Sequence, residues 1–171
     1  MNFEVTIPFW VLTLSYWLHL LSTVVWLGGL ALLALVAWPA VRKDMLDAGQ
    51  WAGLQQRFTP WANISLVILW ITGFLQMSAD PNYDGFLAVK SLWSQALFIK
   101  HIAVAGMMVF GLYLQLRVQP ALARLSLLEK KQPELASAER EKLARQENRL
   151  VKLSLICAVA VLFFTAIATA I

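Results

Sequence analysis

From Phe9 to Val41 the chain carries no Asp, Glu, Lys or Arg, and that run limits the fold more than any other feature. The hydrocarbon core of a bilayer is about 30 Å thick and takes roughly 20 apolar residues to cross as a helix. Three further stretches, 61–79, 91–116 and 153–171, are long and apolar enough to do the same. Hydrocarbon offers no hydrogen-bond partners, so each stretch must satisfy its backbone internally, as an α-helix does. Barrel strands would instead alternate apolar and polar positions about every second residue, a pattern none of the four shows. Composition agrees: 60% of the 171 residues are hydrophobic and 14% are charged, where soluble domains carry about 25% charged residues. The expected fold is therefore all-α, a four-helix integral membrane bundle. It forms one membrane domain over 1–171, with spans near 9–41, 61–79, 91–116 and 153–171. The lipid bilayer is its first partner. The opening run is roughly twice the length of a signal peptide's apolar core and has no basic residue before it, so it reads as a span. Pro8 and Pro60 fit helix starts, where a missing N–H does little harm, and Pro39 falls near the end of the first helix.

The basic residues are unevenly placed. Arg42, Lys43 and Arg57 lie between the first two spans, and nine more, Arg117 to Lys152, lie between the third and fourth. By the positive-inside rule both of these connections face the cytoplasm, which puts both termini outside it. A multi-pass protein of the bacterial inner membrane is the expected setting. Within the 117–152 connector, ELASAEREKLARQENRLVKL has no Gly or Pro and is rich in helix formers, so it should run as a cytoplasmic helix into the fourth span. It reads as a solvated, salt-bridged connector, with binding of lipid headgroups or a partner as the alternative. The net charge of +4 follows this topology and implies no nucleic-acid partner. Cys157 is the sole cysteine, so no internal disulfide can form, and no CxxC or Cys/His spacing suggests a zinc or iron–sulfur site. No phosphate loop, nucleophile motif or internal repeat is strong enough to use.

Only two histidines occur, His19 and His101, and both fall inside spans. Each lies roughly ten residues past the outer start of its helix, about 15 Å deep at 1.5 Å per residue. In a bundle with short connections the first and third helices commonly share a diagonal of about 11–14 Å. Two imidazoles across such a gap could ligate the iron of one haem b from opposite faces. Ser15, Ser22, Thr23 and Trp26 share the face of His19, and a hydroxyl there could accept from its second nitrogen and fix the ring. Gly28, Gly29, Gly106 and Gly111 allow close approach of a helix or a flat cofactor, or simply helix packing. Ligation by only one of the two, and histidines that act in structure or proton transfer, are the remaining readings.

Lys100 sits beside His101 in LFIKHIAVAG, and all ten acidic residues lie outside the expected spans. An ammonium at the centre of a membrane helix costs on the order of 3 kcal/mol. A side-chain stem of about 6 Å does not reach an interface about 15 Å away, so snorkelling alone does not resolve it. A neutral lysine, an acid from another chain, a water-filled cavity or a haem propionate would each do so, and the propionate, or a water-filled cavity near it, is favoured over a purely structural lysine.

WLHLLSTVVWLGGLALLALVAWPAV (17–41) and LFIKHIAVAGMMVFGLYLQLRVQPAL (97–122) resemble the paired signatures of the CopD-like copper-resistance membrane domain and its relative HemJ, an oxygen-independent-type protoporphyrinogen oxidase. The resemblance covers roughly the first 122 residues. It implies a helical membrane domain with a functional first-helix histidine and third-helix lysine, here His19 and Lys100. HemJ-like members are linked to haem b and porphyrinogen oxidation, CopD-like ones to copper uptake. His101 directly after the lysine, and the long basic connector, depart from the HemJ pattern. For copper, Met77, Met107 and Met108 are the soft donors available beside the histidines, since Cu(I) favours thiolate and thioether and Cu(II) accepts imidazole.

The first expectation is a haem b electron-transfer or redox subunit, with His19 and His101 as axial ligands, Lys100 at a propionate, and redox partner subunits or a second copy of the chain beside it. Copper uptake through the same histidines is the alternative. A protoporphyrinogen oxidase-like enzyme is the third reading.

Overall fold

The computed structural model describes residues 7–43, 45–83, 85, 89–128 and 133–171; Lys130 and Lys131 of the basic connector lie outside the described residues. Among those described the chain is helical, with no strand. The helices are α1 (Phe9–Leu32), α2 (Trp38–Arg42), α3 (Ala48–Ser78), α4 (Leu92–Tyr113), α5 (Gln119–Leu128) and α6 (Pro133–Ala170). Short π-helical segments, Leu33–Ala37 and Leu114–Val118, join α1 to α2 and α4 to α5. Four stretches are long and apolar enough to cross a membrane: Phe9–Arg42, Gly49–Ser78, Leu92–Leu125 and Ala138–Ala170. Their outward side chains, such as Leu20, Val24, Ile71, Ile102, Val109 and Phe163, are apolar and exposed, which suits contact with lipid.

The helix starts follow local chemistry. Asp47 caps α3 by accepting from the Gln50 backbone N–H at 2.8 Å, while Gln50 accepts from the Asp47 N–H at 3.0 Å. Ser91 and Ser94 form the same reciprocal box at the start of α4, at 3.1 and 3.0 Å. Each box satisfies two N–H groups that the first turn would leave without intrahelical partners. Pro8 stands just before α1, its carbonyl accepting from Val11 and Leu12. Pro60 does not begin a helix as expected: it lies inside α3, because the Asp47 cap starts that helix more than two turns earlier.

The two π segments have one cause. A proline inside a helix leaves the carbonyl four residues back without its donor. For Pro39 that carbonyl belongs to Leu35, and for Pro120 to Leu116; each lies in the middle of a π segment. Widening the turn to i→i+5 geometry offers the carbonyl the N–H that follows the proline, a repair that a helix in hydrocarbon needs.

The helices form two compact units. In the first, α1 packs on α3. Ser15 and Ser22 are buried on α1, and Trp51, Gln55, Ala62, Ser65 and Thr72 on α3, at spacings of three, four and seven that mark one seam. The pair is antiparallel: Ser15 meets Thr72 and Gln76 near one end, and Phe58 lies over Gly29 near the other. In the second unit α4 packs on α6; Trp93, Ala96 and Met107 are buried on α4, and Glu147, Val151, Ser154 and Ala158 form a buried stripe on α6. Here too the pairing is antiparallel, since Gly106 meets Cys157 and the Gln146 side-chain amide donates to the Tyr113 hydroxyl at 3.0 Å.

Glu147 corrects the expectation of a wholly solvated connector. Its side chain is only 1% exposed, because it falls on the same stripe of α6 as Val151 and Ser154 and so turns inward with them. One turn away the connector is as expected, with an exposed Arg145–Glu141 ion pair at 3.4 Å.

Candidate functional site

His19 is held by α3. Its Nδ1 lies 2.8 Å from Thr72 Oγ1, and the Thr72 hydroxyl donates its one proton to the Ile68 carbonyl at 2.6 Å. The hydroxyl is thus the acceptor, and Nδ1 carries an imidazole proton. The ring also lies against α3 at Gly73, where an added Cβ would stand 3.5 Å from Cε1. Around it, Ser15 donates to the Thr72 carbonyl and the Gln76 amide donates to Ser15, each at 3.4 Å.

The hydroxyls on α1 do not fix the ring as the sequence suggested. Thr23 donates to the His19 carbonyl at 2.8 Å, the usual choice for a hydroxyl four residues along the same helix, and Ser15 reaches across to α3. The anchoring pair, Thr72 and Gly73, lies on another helix and has no local signal. A polar residue followed by glycine within an apolar run is the nearest cue. Of the glycines singled out in the sequence, Gly29 and Gly106 meet neighbours, Phe58 and Cys157, whereas Gly28 and Gly111 face open space.

In the second unit, His101 Nδ1 lies 2.7 Å from the Leu97 carbonyl, one turn back on α4. A carbonyl only accepts, so Nδ1 again bears a proton. Both histidines therefore have an N–H tied to an oxygen, as imidazoles that bind metal through Nε2 commonly do. Met108 follows His101 by seven residues on the same face of α4. Cys157, which sequence spacing left alone, comes from α6 to within 3.9 Å of the place a Gly106 Cβ would occupy, beside the buried Met107. Lys100 belongs to the stripe of Ala96 and Met107 that faces α6 and forms no hydrogen bond or ion pair with another described residue. No three His, Cys, Asp or Glu side chains gather into a metal-binding group among the described residues.

The helix runs Phe9–Arg42 and Leu92–Leu125 are built alike. Each has a π segment followed two residues on by a proline. Counting back equally from Pro39 and Pro120, buried Ala37 matches buried Val118, buried Ser15 matches buried Ala96, and His19 falls at the place of Lys100. This likeness escapes sequence comparison because the shared feature is a backbone distortion and a burial pattern, carried by few identical residues.

Four helices long and apolar enough to cross a membrane define a multi-pass membrane protein. The family described as copper resistance protein D matches residues 52–168, and the chain belongs to that family. The match takes in α4 with Lys100 and His101, and most of α6, and leaves α1 and His19 outside it. No curated protein and no solved structure matches the chain. The family is described by copper, so the comparison supports the copper alternative over the haem b reading of the same histidines.

Proposed function

We infer that the chain takes copper ions into or across the membrane as cargo, with His19 and His101 as imidazole donors. The observation that carries this reading is the tether of both rings: each has Nδ1 held to an oxygen, the arrangement that orients imidazoles which ligate metal through Nε2. Imidazole suits copper, and thioether or thiolate suits Cu(I), which gives Met107, Met108 and Cys157 supporting roles along α4 and α6. A transported ion must be bound strongly enough to enter and weakly enough to leave. Donors spread along helices, with no group of three His, Cys, Asp or Glu among the described residues, fit that need better than they fit a resident metal. The placement of the basic residues supports an orientation with both termini outside the cytoplasm of a bacterial plasma membrane.

The test is copper accumulation by cells producing the chain, normalised to the protein present in the membrane. His19→Ala and His101→Ala should each reduce accumulation to the level of cells lacking the protein. Accumulation equal to the parent in both variants would refute the reading. So would a Soret band in the purified parent protein that either substitution abolishes, since it would return both histidines to haem.

A further inference from the structure

Where π segment and α5 lie against α6, the second unit opens a cleft of about 420 Å³. Arg117, Pro120, Arg124 and Leu125 line one side, and Glu139 and Leu143 the other. Arg117 and Arg124 are seven residues apart, so they share one face of the helix about 10 Å apart along its axis. Both are exposed, and neither forms an ion pair or hydrogen bond with another described residue. We propose that this cleft binds the phosphodiester headgroup of an anionic phospholipid, with Arg117 and Arg124 on the phosphate and Glu139 accepting from a headgroup hydroxyl.

Depth favours a lipid over a dissolved anion. The run Leu92–Leu125 is 34 residues, about 51 Å of helix at 1.5 Å per residue, and the hydrocarbon core accounts for about 30 Å of that. From His101 to Leu116 the helix has no charged residue, and Leu116 is 69% exposed, so hydrocarbon reaches up to Arg117. Arg117 then stands at the boundary and Arg124 about two turns further out, among the headgroups. Leu125 and Leu143 give the cleft an apolar wall suited to the glycerol and first methylenes of a lipid.

Charge narrows the class. Two guanidinium groups and one carboxylate leave a single net positive charge, which suits a phosphodiester monoanion better than a phosphate dianion. Arginine pairs with phosphate through two parallel N–H···O bonds, a geometry lysine lacks. The Glu139 carboxylate, an acceptor only, suits the hydroxyls of a glycerol headgroup. This reading is independent of copper.

Lipid retention by the purified full chain, followed by native mass spectrometry and thermal unfolding, tests it with phosphatidylglycerol, phosphatidylcholine and inorganic phosphate as probes. Phosphatidylglycerol should be retained and should raise the unfolding temperature above that in phosphatidylcholine. Arg117→Gln or Arg124→Gln should each lower retention about fivefold, and the two together roughly thirtyfold, from the worth of one basic side chain at an anionic surface. Arg145→Gln with Arg149→Gln, which removes the same charge away from the cleft, should change retention less than twofold. Equal losses in the two double variants, or equal retention of both lipids, would overturn the site. Stabilisation by inorganic phosphate alone, matching that by phosphatidylglycerol, would overturn the lipid assignment.

Discussion

Replacing Thr72 with Val isolates what holds His19. Valine keeps the β-branched shape on the α1–α3 seam and removes one oxygen that makes two bonds, accepting from His19 Nδ1 at 2.8 Å and donating to the Ile68 carbonyl at 2.6 Å. The second loss is mild, since that carbonyl still has its own helical N–H as donor. The first strands an imidazole N–H and releases the ring to exchange its proton between nitrogens. Side-chain hydrogen bonds between membrane helices contribute about 0.6 kcal/mol on average and at most about 1.7 kcal/mol. The variant should therefore unfold only about 1 kcal/mol more easily. Copper affinity should fall further, by about 10- to 100-fold, the usual effect of removing the oxygen that orients a ligating imidazole. Thr72→Ser, which keeps the hydroxyl, should restore most of it. Nitrogen chemical shifts of the His19 ring report the cause directly: Nδ1 protonated in the parent and Thr72→Ser, mixed protonation in Thr72→Val. A single Nδ1–H form persisting in Thr72→Val, or copper affinity unchanged there while His19→Ala abolishes binding, would refute the role given to Thr72.

Gly29→Leu places side-chain atoms where the Phe58 ring lies. It should destabilise the α1–α3 pair by about 1–3 kcal/mol, measured by unfolding in mixed micelles, and Phe58→Ala in the same chain should recover part of that loss. Met107 is 2% exposed against α6, so Met107→Ala should cost about 2–4 kcal/mol through the cavity it leaves, by the same assay. Glu147→Gln, which keeps shape and hydrogen-bonding capacity, should cost less than Glu147→Ala, expected at about 1–3 kcal/mol for the buried partner left behind. Equal losses in those two variants would show that packing alone, and not the carboxyl oxygens, holds α6 at that point.

How much of this was readable beforehand follows the range of the interactions. The spans, helix class and lipid-facing surface were legible because hydrocarbon imposes them residue by residue. His19, His101 and Lys100 were singled out for the same reason: polar groups stand out in an apolar run. What was lost depends on a second helix. Thr72 and Gly73 become visible only once α3 lies on α1, and Cys157 only once α6 lies on α4. Glu147 was misjudged because its neighbours in sequence, Arg145 and Arg149, are charged and exposed. Its burial comes from the stripe it shares with residues four and seven positions on. Pro60 was misplaced because the prior that proline starts helices competed with the Asp47–Gln50 box, which settles the start twelve residues earlier.

The paired π segments mark where these helices tolerate a change in length. A π turn holds one residue more than an α turn, so removing one residue from Leu33–Ala37 or Leu114–Val118 can be absorbed by closing the bulge, provided Pro39 or Pro120 becomes Ala so that the α hydrogen bonds can form. The same deletion anywhere else in the run would rotate every later side chain by about 100° around the axis. Nearest the bulges, that would carry Ala37 or Val118 off the buried stripe. The helices thus contain a built-in slip joint, which lets the membrane half of each run and its projecting end keep separate registers.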